Sequence, residues 1–300
     1  MIKADIVCLT ETHLKENANI DVDGYLSFTN NRKGLSVRTK KGSGGVAILV
    51  KDCLLQSVQV NLIDNSHCGI IGIELRKKFT RKSILVYSCY LPPEGSPWAD
   101  TTSFYGHLIS QMYLNSFAEN IFIAGDFNAR IGSRLDFIED LDTINKRCVL
   151  DTSVNSYCEA FLEFIKDVKM CIVNGRVTPK YDNYTCLNRN GCSVVDYIIT
   201  DFGSLEKCKM CKVLSVNDLM IENSGLKLLL SSSCKAPDHS VILVEFEYGN
   251  EVEDQEETGV ETKSCSGYRR YSFQNQNNNF LNNETWNYAM LKIIEILKTI

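Results

Sequence analysis

Eight short apolar runs, each closed by a residue that turns or breaks the backbone, most narrowly limit what this chain can fold into. They are "DIVCLT", "GGVAILV", "QSVQVNLI", "GIIGIEL", "SILVYSCYL", "NIFIAG", "VVDYIIT" and "SVILVEFEY". All are rich in β-branched residues and bounded by Gly, Pro, Asn, Asp or Lys, which is the length and punctuation of strands. Two stretches between them have helical period instead. Phe104, Leu108, Met112 and Tyr113 share one face of "SFYGHLISQMYLNSF", and Phe161, Phe164, Ile165 and Val168 share one face of "SYCEAFLEFIKDVKMC". Many strands with a few interspersed helices predict an α/β (α+β) layered domain, with two sheets face to face and helices outside.

Composition removes several function classes. Apolar residues at 44 % and charged residues at 23 % are those of a soluble globular protein. No apolar run reaches membrane-spanning length, so no membrane partner is expected. "MIKADIVCLTETHL" lacks the order of a secretory signal, which predicts an intracellular protein. The 13 cysteines are odd in number and sit in apolar segments, as reduced core residues do. Cys208 and Cys211 have a ligand-like spacing, but Cys186 and Cys192 upstream are wrongly spaced for a ribbon or finger, and no zinc is expected.

After Tyr248 the composition changes. Residues 1–248 read as one domain, 249–283 as an acidic and Asn/Gln-rich disordered linker, and 284–300 as the start of a helix leading toward an absent downstream region. Residues 249–300 are therefore expected to be dispensable for folding of the rest. The segment from Gly249 carries three of the five net negative charges. The basic clusters "NRKGLSVRTKK" and "RKKFTRK" read as solvated loop or edge-strand residues, so charge permits a phosphate-backbone partner without arguing for one.

Chemistry concentrates where the apolar runs stop. Glu11 follows "DIVCLT", Tyr90 precedes Pro92 and Pro93, and Asp126 and Asn128 lie two apart in "GDFNAR". Asp238 and His239 stand just before "SVILVEFEY". Asp196 lies inside an apolar run, where a carboxylate must be paired or protonated. A turn or a cap explains each of the others singly. Together they predict one site, since strand ends on one side of a layered sheet converge. Carboxylates, an amide, one His and one Tyr form an oxygen-rich set that suits Mg²⁺ or Mn²⁺, and metal-assisted hydrolysis of a phosphate ester needs that set.

In order, "DIVCLTETHL", "GSGGVAILV", "YSCYLPPEGSPW", "IFIAGDFNARIG", "SVVDYIIT" and "PDHSVILVEF" resemble the endonuclease/exonuclease/phosphatase superfamily. More narrowly, they resemble the apurinic-endonuclease-like domain of non-LTR retrotransposons. The resemblance implies a four-layered α/β sandwich of two packed mixed sheets, divalent-metal dependence and phosphodiester hydrolysis. It implies metal binding by Glu11 and Asp238, and a water activated or positioned by Asp126 with Asn128. Tyr90 would contact phosphate, and Asp196 would orient His239. It also implies DNA as partner through its phosphate backbone, a downstream reverse transcriptase in the full element, and a nuclear location. Rival readings are a phosphatase or lipid phosphodiesterase of the same superfamily, or a catalytically inactive binding module. Two departures stand out. Pro237 replaces the family's Ser before Asp-His, and Met1 lies just before "DIVCLT", so the family's first strand and its metal-binding Asn are expected to be missing. One more strand would belong between "DIVCLTET" and "SVILVEF".

Overall fold

The computed structural model describes residues 4–35, 40–78, 82–222, 237–247 and 290–297. In chain order the strands of the first half are β1 (Ile6–Thr10), β2 (Tyr25–Asn30), β3 (Val46–Lys51), β4 (Val58–Asp64), β5 (Ile70–Lys77), β6 (Ser83–Tyr90) and β7 (Asn120–Asp126). The second half adds β8 (Met170–Ile172), β9 (Cys186–Asn188), β10 (Gly191–Ser193), β11 (Asp196–Asp201), β12 (Cys208–Leu214), β13 (Val241–Glu247) and β14 (Met290–Leu297). Helices α1 (Thr101–Leu114), α2 (Cys158–Asp167), α3 (Phe202–Glu206) and α4 (Val216–Glu222) complete the elements used below. One sheet runs β12-β13-β14-β1-β3-β2, the other β4-β5-β6-β7-β11-β8, and β9 and β10 form a separate hairpin.

The expected layering is present. Ile6, Cys8, Ile48 and Val244 of the first sheet share a core with Ile71, Val86, Phe122 and Ile198 of the second. Phe122 and Phe246 meet across it, ring centres 4.3 Å apart. Alternation decides which residues face this core. Along β6, Ile84 and Val86 point into it, whereas Leu85, Tyr87 and Cys89 point to the opposite face. There they meet α1 and α2 through Phe104, Leu108, Phe161 and Ile165. Because β6 is covered on both sides, its sequence is a near-continuous apolar run, interrupted by Ser88. On the outer face of the first sheet, Val7, Leu49 and Val241 pack with Leu219 of α4. Tyr113, expected on the buried face of α1, is 66 % exposed; the stripe ends one residue earlier, at Met112.

The C-terminal expectations divide. The proposed linker, 249–283, lies outside the described residues. The helix expected to begin within 284–300 is corrected: Met290–Leu297 is a strand. It lies parallel to β1, with Ile293 opposite Ile6 and Leu297 opposite Thr10, and antiparallel to β13, with Ile294 opposite Leu243. The position between β1 and β13 that the sequence left empty is thus filled from the other end of the chain. Residues 290–297 are therefore structural, against the expectation that everything after 249 is dispensable. A central strand is satisfied along both edges, and each buried ladder group left unpaired costs roughly 1–3 kcal/mol. Ile294→Pro would remove one N–H and force the local φ, a loss of about 3 kcal/mol or more. It should lower the melting temperature by about 6–12 °C in a domain of this size. Differential scanning calorimetry of that variant checks it, and an unchanged melting temperature would remove β14 from the sheet.

Candidate active site

Strand pairing brings three of the expected residues into one row. β6 and β7 run parallel with Tyr90 opposite Asp126, and β11 runs antiparallel to β7 with Asp196 opposite Asp126. Tyr90 and Asp126 therefore end their strands side by side, and Asp196 begins the next. All three are buried. Beyond Asp126 the chain turns through Asn128, whose φ of 49° is in the left-handed region that Asn tolerates. Its backbone N–H donates to Asp126 Oδ1 at 2.9 Å, and its side-chain amide donates to the Leu91 carbonyl at 2.8 Å and Asp126 Oδ2 at 3.2 Å. "GDFNAR" is thus a turn that holds its amide against the Asp126 carboxylate, beside Tyr90 and Asp196.

Glu11 arrives from the facing sheet. β1 stops at Thr10, and Glu11 and His13 both adopt positive φ, folding the chain over the row. The Tyr90 hydroxyl is hydrogen-bonded to the Glu11 carboxylate. His13 Nε2 lies 3.6 Å from Glu11 Oε2. Ser88 on β6 donates to the Leu9 carbonyl at 3.1 Å, tying β1 to β6 just behind the site.

His239 enters through the β9–β10 hairpin. Ser240 N–H donates to the Thr185 carbonyl and Leu187 N–H to the Asp238 carbonyl, and His239 forms a bridge with Cys186. Thr185 Oγ1 in turn accepts the N–H groups of Val195 and Asp196 at 3.0 and 3.1 Å. One residue therefore sets the spacing between two others, and His239 Nδ1 lies 3.1 and 3.0 Å from the two Asp196 oxygens. Asn174, just after β8, donates to the Asp196 carbonyl and accepts from Ile198 N–H. Thr185 and Asn174 are positioning residues that sequence reasoning missed. Asn174 was findable, since it is a polar residue following an apolar run, as Glu11 and Asn128 are.

Charge in this pocket is unbalanced. Burial pushes the Asp126 carboxyl well above the usual carboxylate range, the negative charge of Asp196 pushes it further, and His239 opposes both. Burial works against a charged His239, but the charge and hydrogen bonds of Asp196 outweigh it and hold the ring above the usual imidazole range. A hydrogen bond with Cys186 acts in the same direction. Three carboxylates thus share one imidazolium, and hard-oxygen donors with surplus negative charge fit a divalent cation such as Mg²⁺ or Mn²⁺. Among the described residues, Asp126, Asp196 and His239 form one group of possible ligands with donor atoms within 4.8 Å of one another. Cys186, Asp238 and His239 form a second. Asp238 thus lies on the hairpin side with Cys186, while Glu11 approaches Asp126 from the facing sheet.

Residues 2–203 match the profile of the Endonuclease/Exonuclease/phosphatase family. No curated protein matches the chain. The AP endonuclease LMAP from Leishmania major is 15% identical, with a TM-score of 0.54 over 79% of this chain and 76% of that one. The 3′ phosphatase NExo from Neisseria, bound to a product DNA hairpin, is 15% identical, with a TM-score of 0.50 over 81% of this chain and 89% of that one. The endonuclease domain of TRAS1, a telomere-specific non-LTR retrotransposon, is 14% identical, with a TM-score of 0.48 over 79% and 95%. At these identities the first two show a shared fold.

The Asp196–His239 pair has a sign that can be measured. A raised imidazole value makes the pair stabilising at and below the ordinary imidazole range, and that stability is lost as pH climbs through the higher value of the folded ring. In metal-free buffer, the ¹⁵N resonances of His239 should report an imidazolium above pH 7.5. Asp196→Asn should bring its titration back to or below the ordinary range near 6.5. Equal titration in both proteins would mean that the carboxylate does not hold the ring charged.

Proposed function

This chain belongs to the endonuclease/exonuclease/phosphatase family, divalent-metal-dependent hydrolases of phosphodiester bonds, and on that premise we propose that it is a DNA endonuclease. The observation that carries the reading is the row Tyr90–Asp126–Asp196 with His239 fixed behind it. It supplies one group to take a proton and two to hold an anionic phosphate, all on buried side chains.

In this reading Asp126 and Asn128 hold the attacking water. Asp126 accepts its proton as the new P–O bond forms and the opposite ester P–O bond breaks; solvent returns a proton to the leaving oxygen. The raised affinity of Asp126 for a proton suits it to that task. His239, kept charged by Asp196, and the Tyr90 hydroxyl donate hydrogen bonds to the non-bridging phosphate oxygens, where negative charge grows. Glu11 and Asp126 would hold the divalent cation, with Asp238 a further candidate on the hairpin side. Bound there, the metal neutralises charge on the phosphate.

DNA is the first substrate to test because two proteins of this fold are an AP endonuclease and a 3′ phosphatase with a DNA product. The order and wording of the motifs further favour a retrotransposon-type reading frame, with a reverse transcriptase as the partner to seek. One observation favours a second reading, an inactive binding module. The strand filling the position of the family's Asn-bearing first strand, "MLKIIEIL", contains no Asn.

Nicking of supercoiled plasmid separates the two. With Mg²⁺ or Mn²⁺ the full chain should convert supercoiled DNA to open circles, and EDTA should abolish this. Asp126→Asn and His239→Ala should each slow the reaction at least about a hundredfold with the domain still folded, His239→Ala melting lower because Asp196 loses its partner. Nicking that survives thorough chelation would overturn the mechanism, and DNA binding without any nicking would favour the binding module.

A further inference from the structure

Beside Tyr90 a pocket of about 260 Å³ opens at the surface, walled by Arg32, His67, Pro92, Trp98 and Phe104. Arg32 comes from one of the basic clusters expected to be solvated, yet it is only 3 % exposed. Its Nη1 donates to Ser43 Oγ at 2.9 Å, while Nε and Nη2 are buried without any hydrogen-bond partner among the described residues. A guanidinium seldom stays so, because a buried cation with unspent donors loses its hydration and gains nothing in return. A glycine at positive φ makes the burial possible. A Cβ on Gly44 would stand 2.8 Å from Arg32 Nη2 and 3.3 Å from Tyr90 Cε1, so only a glycine lets the guanidinium approach that tyrosine. Asp100, also on the pocket wall, accepts the Ser103 N–H at 2.9 Å as the cap of α1.

What covers the guanidinium is an aromatic ring. The Arg32 Cζ lies 4.7 Å from the centre of Trp98, which is itself 44 % exposed. Behind it, Phe104 and His67 pack edge to face, and His67 Nδ1 accepts the Gly69 N–H. The pocket thus offers a cation with in-plane donors to spare, an exposed aromatic plane and an apolar rear wall. An anion joined to a flat ring fits that combination, and a nucleotide unit has both.

We propose that Arg32 and Trp98 form a subsite for the nucleotide next to the scissile phosphate of a nucleic-acid strand. Trp98 turns from the guanidinium to stack on the base or sugar, and the freed donors of Arg32 take the adjacent phosphate. The cation–π contact given up is replaced by charge-assisted hydrogen bonds and a base–aromatic stack, so binding and uncovering are one event. The proposal rests on the phosphodiesterase reading for its substrate class, but the subsite works without hydrolysis and can be tested without it.

The chain has two tryptophans, Trp98 and Trp286, so Trp286→Phe leaves Trp98 as the sole reporter. In EDTA, a short single-stranded oligonucleotide should change Trp98 fluorescence saturably, and inorganic phosphate should do so only at far higher concentration. Arg32→Met in that background should weaken binding at least tenfold at unchanged melting temperature, with Arg32→Lys in between. It should also flatten the slope of log K against log salt by about one. If Arg32→Met does not fold, Trp98→Ala followed by oligonucleotide anisotropy decides: about a fivefold loss is expected, and an unchanged Kd overturns the proposal. Oligonucleotide binding with silent Trp98 fluorescence, or unaltered by Arg32→Met, also overturns it. Oligonucleotide binding through Trp98 with no nicking of supercoiled plasmid in Mg²⁺ would sink the nuclease reading and leave the subsite standing. Cleavage with Arg32→Met binding as tightly as its parent would do the reverse.

Discussion

The parallel pairing of β6 with β7 is the constraint from which the rest of this molecule follows. Parallel neighbours need a crossover, here α1, and they end at the same edge of the sheet. With Tyr90 opposite Asp126, the polar residues that close two apolar runs become neighbours, and the antiparallel arrival of β11 adds Asp196 to the same row. A shift of one residue in either register would turn Asp126 to the other face of the sheet. The buried apolar residues on both faces of β6 hold that register, so the core fixes the chemistry by fixing the row.

The row carries an electrostatic cost. Asp126 and Asp196 sit at adjacent positions in a dry interior, and Glu11 comes from the other sheet. One imidazolium cannot balance them. The hairpin that clamps His239 through Thr185 keeps the imidazolium charge against Asp196 rather than letting it move toward Asp126. The surplus negative charge left over Asp126 and Glu11 is what an oxygen-ligated cation would meet.

Much of this was legible in the sequence. The strands could be read because burial on one or two faces writes itself as alternation or as an unbroken apolar run. That Glu11, Tyr90, Asp126, Asn128 and His239 gather in one place was legible because they are polar residues at the ends of such runs, and Asp196 because it is a carboxylate inside one. Three features could not be read for physical reasons. "MLKIIEIL" has apolar residues at helical spacing and is also apolar enough for a strand flanked on both sides; only the gap between β1 and β13 decides, and that gap is tertiary. Arg32 looks like its solvated neighbours because burial of one cation in a basic cluster leaves no trace in composition. The grip of Thr185 on Asp196 spans 11 residues, and no local pattern records it.

The placement of β14 also sets the order in which the fold can be assembled. β1 and β13 are both made before it, with residues 248–289 lying between β13 and the strand that joins them. On the ribosome, the first sheet must wait as two pieces, β1-β3-β2 and β12-β13, each with an open inner edge. Closing it makes the longest-range strand pairing among the described residues, the kind that is reached last and slowest. Until then those edges are available to any other extended segment, including the same strand of another nascent chain. The second sheet has no such dependence, so the Tyr90–Asp126–Asp196 row can form while Glu11 and His239, one on each side of the gap, still wait for the closing strand.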